Sequence, residues 1–177
     1  DKRAVAQAVA KEFGVVHVSA SGLLKELVEA KTEDGITAKK MMDEGYLVLT
    51  DLIAPLVKER LSREDCVSKG YVLEGYPRTA GQTEELAKAG VAAPNKIVVL
   101  DFSETLVAAR CAGRQLDPVT GEVYHPSYKA APLDDEELNF RLVERPDDAS
   151  ARAVTLRVGQ FRINGPAVKE AVGEVSR

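Results

Sequence analysis

The run Leu73-Glu74-Gly75-Tyr76-Pro77-Arg78-Thr79-Ala80-Gly81-Gln82 constrains the fold more than any other part of the chain. It includes the end of Tyr71-Val72-Leu73, a short apolar segment of the kind that forms a buried strand. It leads into a helix pattern at Thr79, whose hydroxyl can cap the first turn. A glycine, a proline, an arginine and a glutamine are thus placed at the carboxyl end of a strand, where open α/β sheets bind their ligands. Gly75 lets the backbone approach a ligand closely. Pro77 stiffens the turn, and Arg78 offers a planar fork suited to phosphate. Gln82 lies one helical turn beyond Arg78 and can address a base edge with one donor and one acceptor.

The rest of the chain alternates strand-like and helix-like segments. Residues 4–13 read as an alanine-rich amphipathic helix closed by Gly14, followed by a strand at 15–18. Leu23, Leu24, Leu27 and Val28 keep helical spacing, as do Ala38, Met41 and Met42, with Gly45 as a stop. A helix is expected from Thr50 or Asp51 to Arg63, a strand at 71–74, a helix at 79–89 and a strand at 96–101. Ser103 caps a helix expected to reach about Arg114, carrying Arg110 and Arg114 on one face. Turn formers at Asp117-Pro118 and Thr120-Gly121 predict a tight hairpin. A final strand is expected at 161–163, and Pro166 is expected to open a terminal helix. Such alternation predicts a parallel α/β sheet.

A chain of 177 residues with 45% hydrophobic residues suits one domain with a substantial core and excludes disorder. A net charge of −4 without basic blocks argues against nucleic-acid binding, so any phosphate must be held by a local cluster of cations. No apolar run approaches a membrane span. Cys66 and Cys111 are isolated, which points to free thiols in a reducing compartment such as the cytoplasm. The sequence begins at Asp1 in the middle of a helix onset, and a preceding segment is expected.

The segment 73–82 closely resembles the monophosphate-binding signature of adenylate kinases, D-G-F/Y-P-R-T-x-x-Q. The run Cys111-Ala112-Gly113-Arg114-Gln115-Leu116-Asp117-Pro118-Val119-Thr120-Gly121-Glu122-Val123-Tyr124-His125 resembles the root of the lid in that family, and Arg145-Pro146-Asp147-Asp148 resembles the returning lid segment. The resemblance covers nearly the whole chain. It implies a three-layer α/β fold of the P-loop nucleoside-monophosphate-kinase kind. One domain over 1–177 would contain a parallel sheet, a monophosphate-binding insertion at 19–49 and a long lid insertion at 116–147.

It further implies adenine nucleotides as ligands. Lys25, Gly75, Arg78 and Gln82 would bind AMP, while Lys2, Arg110 and Arg114 would bind ATP, Arg110 stacking on its base. Lys2, Arg78, Arg114 and Arg145 would carry the charge of phosphoryl transfer. Mg²⁺ is expected to arrive with the nucleotide, and no metal site of the protein's own is expected.

The same resemblance exposes departures. Lys2 falls at the lysine of the family's glycine-rich phosphate loop, but Asp1, Arg3 and Ala4 replace two glycines and the Mg²⁺-binding threonine. Lys25 replaces a phosphate-binding arginine, and Glu74 replaces the aspartate that organises Mg²⁺ waters. The family's second lid-helix arginine falls on Leu156, with Arg157 one residue away. In this fold the strand before the glycine-rich loop lies mid-sheet, and without it the neighbouring strands would leave backbone groups unpaired.

These features are expected of a domain with impaired ATP–AMP phosphotransfer and a degenerate or missing phosphate loop. It would be a scaffold or nucleotide-sensing module of a larger assembly, as in adenylate-kinase-like domains of axonemal and other cytoskeletal proteins of the cilium. The alternative is an active adenylate kinase. A pyrimidine monophosphate kinase fits less well, because those relatives have a short lid.

Overall fold

The structure, a computed structural model, describes residues 2–145, 148 and 151–175. Asp1, Pro146 and Asp147, which figure in the motifs above, lie outside the described residues. The chain divides into two compact units, one of Asp1–Met41, Leu47–Leu100 and Gln160–Arg177, the other of Met42–Tyr46 and Asp101–Gly159.

In the first unit, α1 (Lys2–Phe13) leads through Gly14 into β1 (Val16–Ser19). Ser19 caps α2 (Ala20–Glu29) by accepting the Gly22 amide, and α3 (Glu33–Asp43) follows. Next come α4 (Thr50–Leu61), α5 (Glu64–Lys69), β2 (Tyr71–Glu74) and α6 (Ala80–Lys88). β1 and β2 pair in parallel, with Val16 opposite Tyr71 and Ser19 opposite Glu74, so both strands end at the same level. The helical segment between them makes the crossover that parallel pairing requires. Val18, Ala20, Ile53, Val57, Leu61, Cys66 and Tyr76 form the core beneath. This core, drawn from β1, α2, α4, α5 and the turn after β2, with Tyr71 and Leu73 of β2 packed against it, fixes the strand ends on which residues 74–82 are mounted.

In the second unit, Ser103 caps α7 (Glu104–Cys111) through the Leu106 amide. A three-stranded antiparallel sheet follows: β3 (Gln115–Leu116) lies between β4 (Val123–Tyr124) and β5 (Val143–Glu144). The expected hairpin is present. The Asp117 amide donates to Glu122 O at 2.9 Å, and Gly121, at φ +72°, donates to Asp117 O at 2.8 Å. α8 (Glu136–Arg141) precedes β5, and α9 (Ala151–Val175) closes the chain.

Four expectations are corrected. Residues 96–101 form no strand, and Val98 is 69% exposed. An apolar run becomes a strand only where a neighbour takes up its amides and carbonyls, and 96–101 joins neither ladder. Residues 161–163 are helical within α9, and Pro166 lies inside that helix rather than at its start. Phe161, Arg162 and Ile163 are too few to carry a period of their own, and Asn164 Nδ2 donates to the Gln160 carbonyl at 2.9 Å, one turn back, as a helix allows. α7 stops at Cys111 rather than near Arg114, because Ala112 is extended at ψ 126° and Gly113 takes φ +78°, a turn closed by the Arg114 amide donating to Cys111 O at 3.3 Å. α5 was not expected, its six residues being too short to show a period.

Gly45 has φ +81°, and a Cβ there would lie 2.9 Å from both Cα and O of Ala153. Gly45→Ala combines a left-handed backbone with a clash against main chain. It should cost roughly 2–3 kcal/mol, read as a melting temperature lower by roughly 5–10 °C. A variant melting with the parent protein would show that this approach tolerates a side chain.

Candidate active site

The first unit gathers two cations at the end of β2. Gly75 has φ +81°, and a Cβ on it would stand 3.4 Å from Arg78 Nη2 and 3.4 Å from Lys2 Cε. The positive φ is what calls for glycine here, and a Cβ would come into van der Waals contact with both cationic side chains. Arg78 is held in place by its Nε, which donates to Gly75 O at 2.9 Å. Lys2 Nζ lies 3.3 Å from Glu74 Oε1.

The Glu74 side chain is 5% exposed, and burial pushes its carboxyl up. Lys2, the Ser19 hydroxyl and His17 outweigh that and hold it below the usual range. Glu74 Oε2 is buried without a hydrogen-bond partner, with His17 Nε2 at 3.5 Å. Thr79 caps α6 by accepting the Gln82 amide at 3.2 Å. Gln82 is buried, and its Oε1 accepts the Arg78 amide at 2.7 Å. The side-chain acceptor of Gln82 therefore serves the turn.

The second unit gathers arginines around Asp148. Arg114 Nη2 lies 2.7 Å from Oδ1 and 2.6 Å from Oδ2, and Arg157 Nη2 lies 2.5 Å from Oδ1. Arg145 Nε stands 4.0 Å from Oδ2, and its amide donates to Arg114 O at 3.2 Å, continuing the β3–β5 ladder. Burial pushes the Asp148 carboxyl up, but hydrogen bonds from Arg114 and Arg157 outweigh it and hold it below its ordinary range.

At the far side of the same ladder, Asp117 is fully buried. Its carboxylate accepts from Arg141 Nε and Nη2 at 2.9 Å each, from Thr120 Oγ1 at 2.7 Å and from the Val119 amide at 3.0 Å. The Arg141 fork keeps this carboxyl well below the usual range. Arg110 takes another course: its Cζ lies 4.5 Å from the Tyr128 ring centroid and 6.0 Å from that of Phe102.

Of the residues singled out from sequence, Lys2, Gly75, Arg78 and Gln82 come together, and Arg114 and Arg145 come together. Lys25 is exposed on α2 and makes no hydrogen bond or ion pair with the Gly75–Gln82 group among the described residues. Arg110 and Arg114 do not share a helix face, because the chain turns at Gly113 between them. Sequence reading missed the pairing of Asp148 with Arg157, which stands one residue from the aligned position. It also missed the Asp117–Arg141 pair. The buried cap and hairpin carboxylates were the available signal, since an aspartate in a D-P-x-T-G turn calls for donors.

Among the described residues no three His, Cys, Asp or Glu side chains gather as a metal site. No described helix is long and apolar enough to cross a membrane. Both cysteines are free, Cys66 buried and Cys111 half-buried. Cations poised against buried carboxylates can exchange those partners for phosphate oxygens, which is the chemistry this arrangement supports.

Comparison with known proteins points the same way. The family model described as adenylate kinase matches residues 1–167. "Probable adenylate kinase 2, chloroplastic" of Oryza sativa subsp. japonica is 39% identical over 150 residues, covering 85% of this chain and 50% of that protein. "Adenylate kinase, chloroplastic" of Zea mays is 37% identical over 153 residues, covering 86% of this chain and 67% of that protein. The chain thus spans half to two thirds of the length of these relatives. With its family match running through both the strand-end cations and the arginine cluster, the chain belongs to the adenylate kinase family.

Proposed function

We propose that the domain binds adenine nucleotides and takes part in reversible phosphoryl transfer between ATP and AMP. The observation that carries this reading is the meeting of Lys2 and Arg78 over Gly75, beside buried Glu74, at a strand end. Transfer of a phosphoryl group asks little covalent chemistry of a protein; it asks for positioning and for charge against charge. Arg78 and Lys25 would hold the AMP phosphate, and the Gln82 NH₂ group would donate to its base. Lys2, Arg114 and Arg145 would face the phosphates in transfer, and Arg110 would stack on the ATP base. Residues 19–49 would serve as the monophosphate-binding segment and 116–147 as the lid.

Mg²⁺ would come with the nucleotide and neutralise its phosphate oxygens. Glu74 Oε2, buried without a hydrogen-bond partner and 3.5 Å from His17 Nε2, fits an oxygen that would accept from metal-bound water.

A second reading is a nucleotide-sensing or scaffold module of a larger assembly with little turnover. It draws on Ala4, which offers no hydroxyl to a metal where the family has threonine. A coupled assay of ADP production on the full-length natural protein separates the two. Turnover of roughly 1–100 s⁻¹ that is lost in Lys2→Ala supports the kinase. Nucleotide binding without turnover supports the module. For location, the free thiols fit a reducing compartment such as the cytoplasm, and both relatives are named as chloroplastic. Those names give no support to a ciliary or cytoskeletal site.

Two variants test the parts separately. Arg78→Ala should weaken AMP binding by roughly 1.5–3 kcal/mol, and unchanged affinity by calorimetry would remove Arg78 from the site. Asp148→Asn leaves Arg114 and Arg157 facing each other without their carboxylate, which should destabilise the nucleotide-free protein by about 3 kcal/mol. The folded carboxyl is depressed, so its stabilisation is present above the unfolded pKa and lost as pH falls through the folded one. Urea unfolding should therefore show the variant's deficit at pH 7 and see it shrink below pH ~4. A deficit constant down to the acid limit would assign it to packing instead.

A further inference from the structure

The turn His125–Lys129 belongs to the lid segment, yet two of its side chains, His125 and Tyr128, meet the end of α7. The His125 amide donates to Lys129 O at 2.8 Å and the Lys129 amide returns to His125 O at 3.0 Å, closing the turn on itself. His125 Nδ1 accepts the Ser127 amide at 3.0 Å, so the ring proton sits on Nε2. That nitrogen lies 2.7 Å from Ala112 O and 3.2 Å from Ala109 O. Ala109 O is one of the last-turn carbonyls that a helix leaves without intrahelical partners, and Ala112 is the residue that caps α7. They flank Arg110.

The imidazole in turn packs on the Tyr128 ring, with centroids 4.6 Å apart and planes tilted by 50°. Tyr128 itself lies against Arg110, 4.5 Å from Cζ, and is 46% exposed. Helix end, imidazole, phenol and guanidinium thus form one connected series in which each member fixes the next.

We infer that His125 and Tyr128 are positioning residues that set the plane of Arg110 for stacking against the base of the nucleoside triphosphate. The inference rests on the proposed role of Arg110. An exposed arginine spreads over many rotamers, and a base stacks well on a guanidinium only when its plane is already presented. Tyr128 supplies that presentation through a cation–π contact, and His125 supplies it at one remove by tethering the turn to the helix. The pair therefore contributes to base binding and not to phosphate binding, which falls to Arg114 and Arg145 on the other side of Gly113.

Calorimetry on the full-length natural protein tests this with three probes: ATP, AMP and inorganic tripolyphosphate. Tyr128→Ala should raise the Kd for ATP about three- to tenfold while leaving tripolyphosphate and AMP unchanged. Tyr128→Phe, which keeps the ring, should restore ATP binding. His125→Ala should reproduce the loss in part, and melting curves check that each variant is folded. An Arg110→Ala, Tyr128→Ala double variant should bind ATP no worse than Arg110→Ala alone.

Equal loss for ATP and tripolyphosphate would overturn the inference, since it would mean that the turn supports the lid as a whole. Unchanged ATP binding in Tyr128→Ala, with a loss in Arg110→Ala, would overturn it alone. Unchanged ATP binding in Arg110→Ala would overturn the base-stacking role of Arg110 together with it.

Discussion

Gathering cations at one point, before any anion arrives, costs energy through their mutual repulsion and desolvation. In each unit a buried carboxylate offsets that cost. Glu74 draws Lys2 to the strand end where Arg78 is already anchored on Gly75 O. Asp148, its side chain 2% exposed, draws Arg114 and Arg157 together. Both carboxyls lie below their ordinary range for the same reason: the cations around them outweigh the penalty of burial. A chain of net charge −4 can thus present local positive charge without a basic surface. Under the proposed function, phosphate binding would be an exchange of partners.

The strand end was legible because its chemistry is local. Thr79 caps the helix that follows it, and Gly75 needs a positive φ; both properties are carried by the residue itself. Much of the hairpin was legible on the same grounds, through Asp117, Thr120 and Gly121. What was not legible depends on partners far away in sequence. The run 96–101 has the composition of a strand but no place in either ladder, and exposure of Val98 is the result. Residues 161–163 were too few to reveal a period and fell under the helix around them. Arg157 reaches Asp148 although it is one position away from the expected arginine, since a long side chain absorbs a step of 100° around a helix.

The separation of Arg110 from Arg114 turns on a single glycine. Had α7 continued, the two would stand on one face, one turn apart, and both would address the same group. After the extended cap residue Ala112, Gly113 at φ +78° completes the turn that redirects the chain into β3, so the guanidiniums part. Arg114 goes to a carboxylate, a partner whose oxygens resemble those of phosphate. Arg110 goes to an aromatic ring, a partner whose face resembles that of a base. Each arginine is thus kept, without ligand, against a chemical likeness of the group proposed for it. The two partners differ in kind, since a carboxylate offers the guanidinium edge two oxygens but no π face, and an aromatic ring offers a π face but no oxygens for the fork.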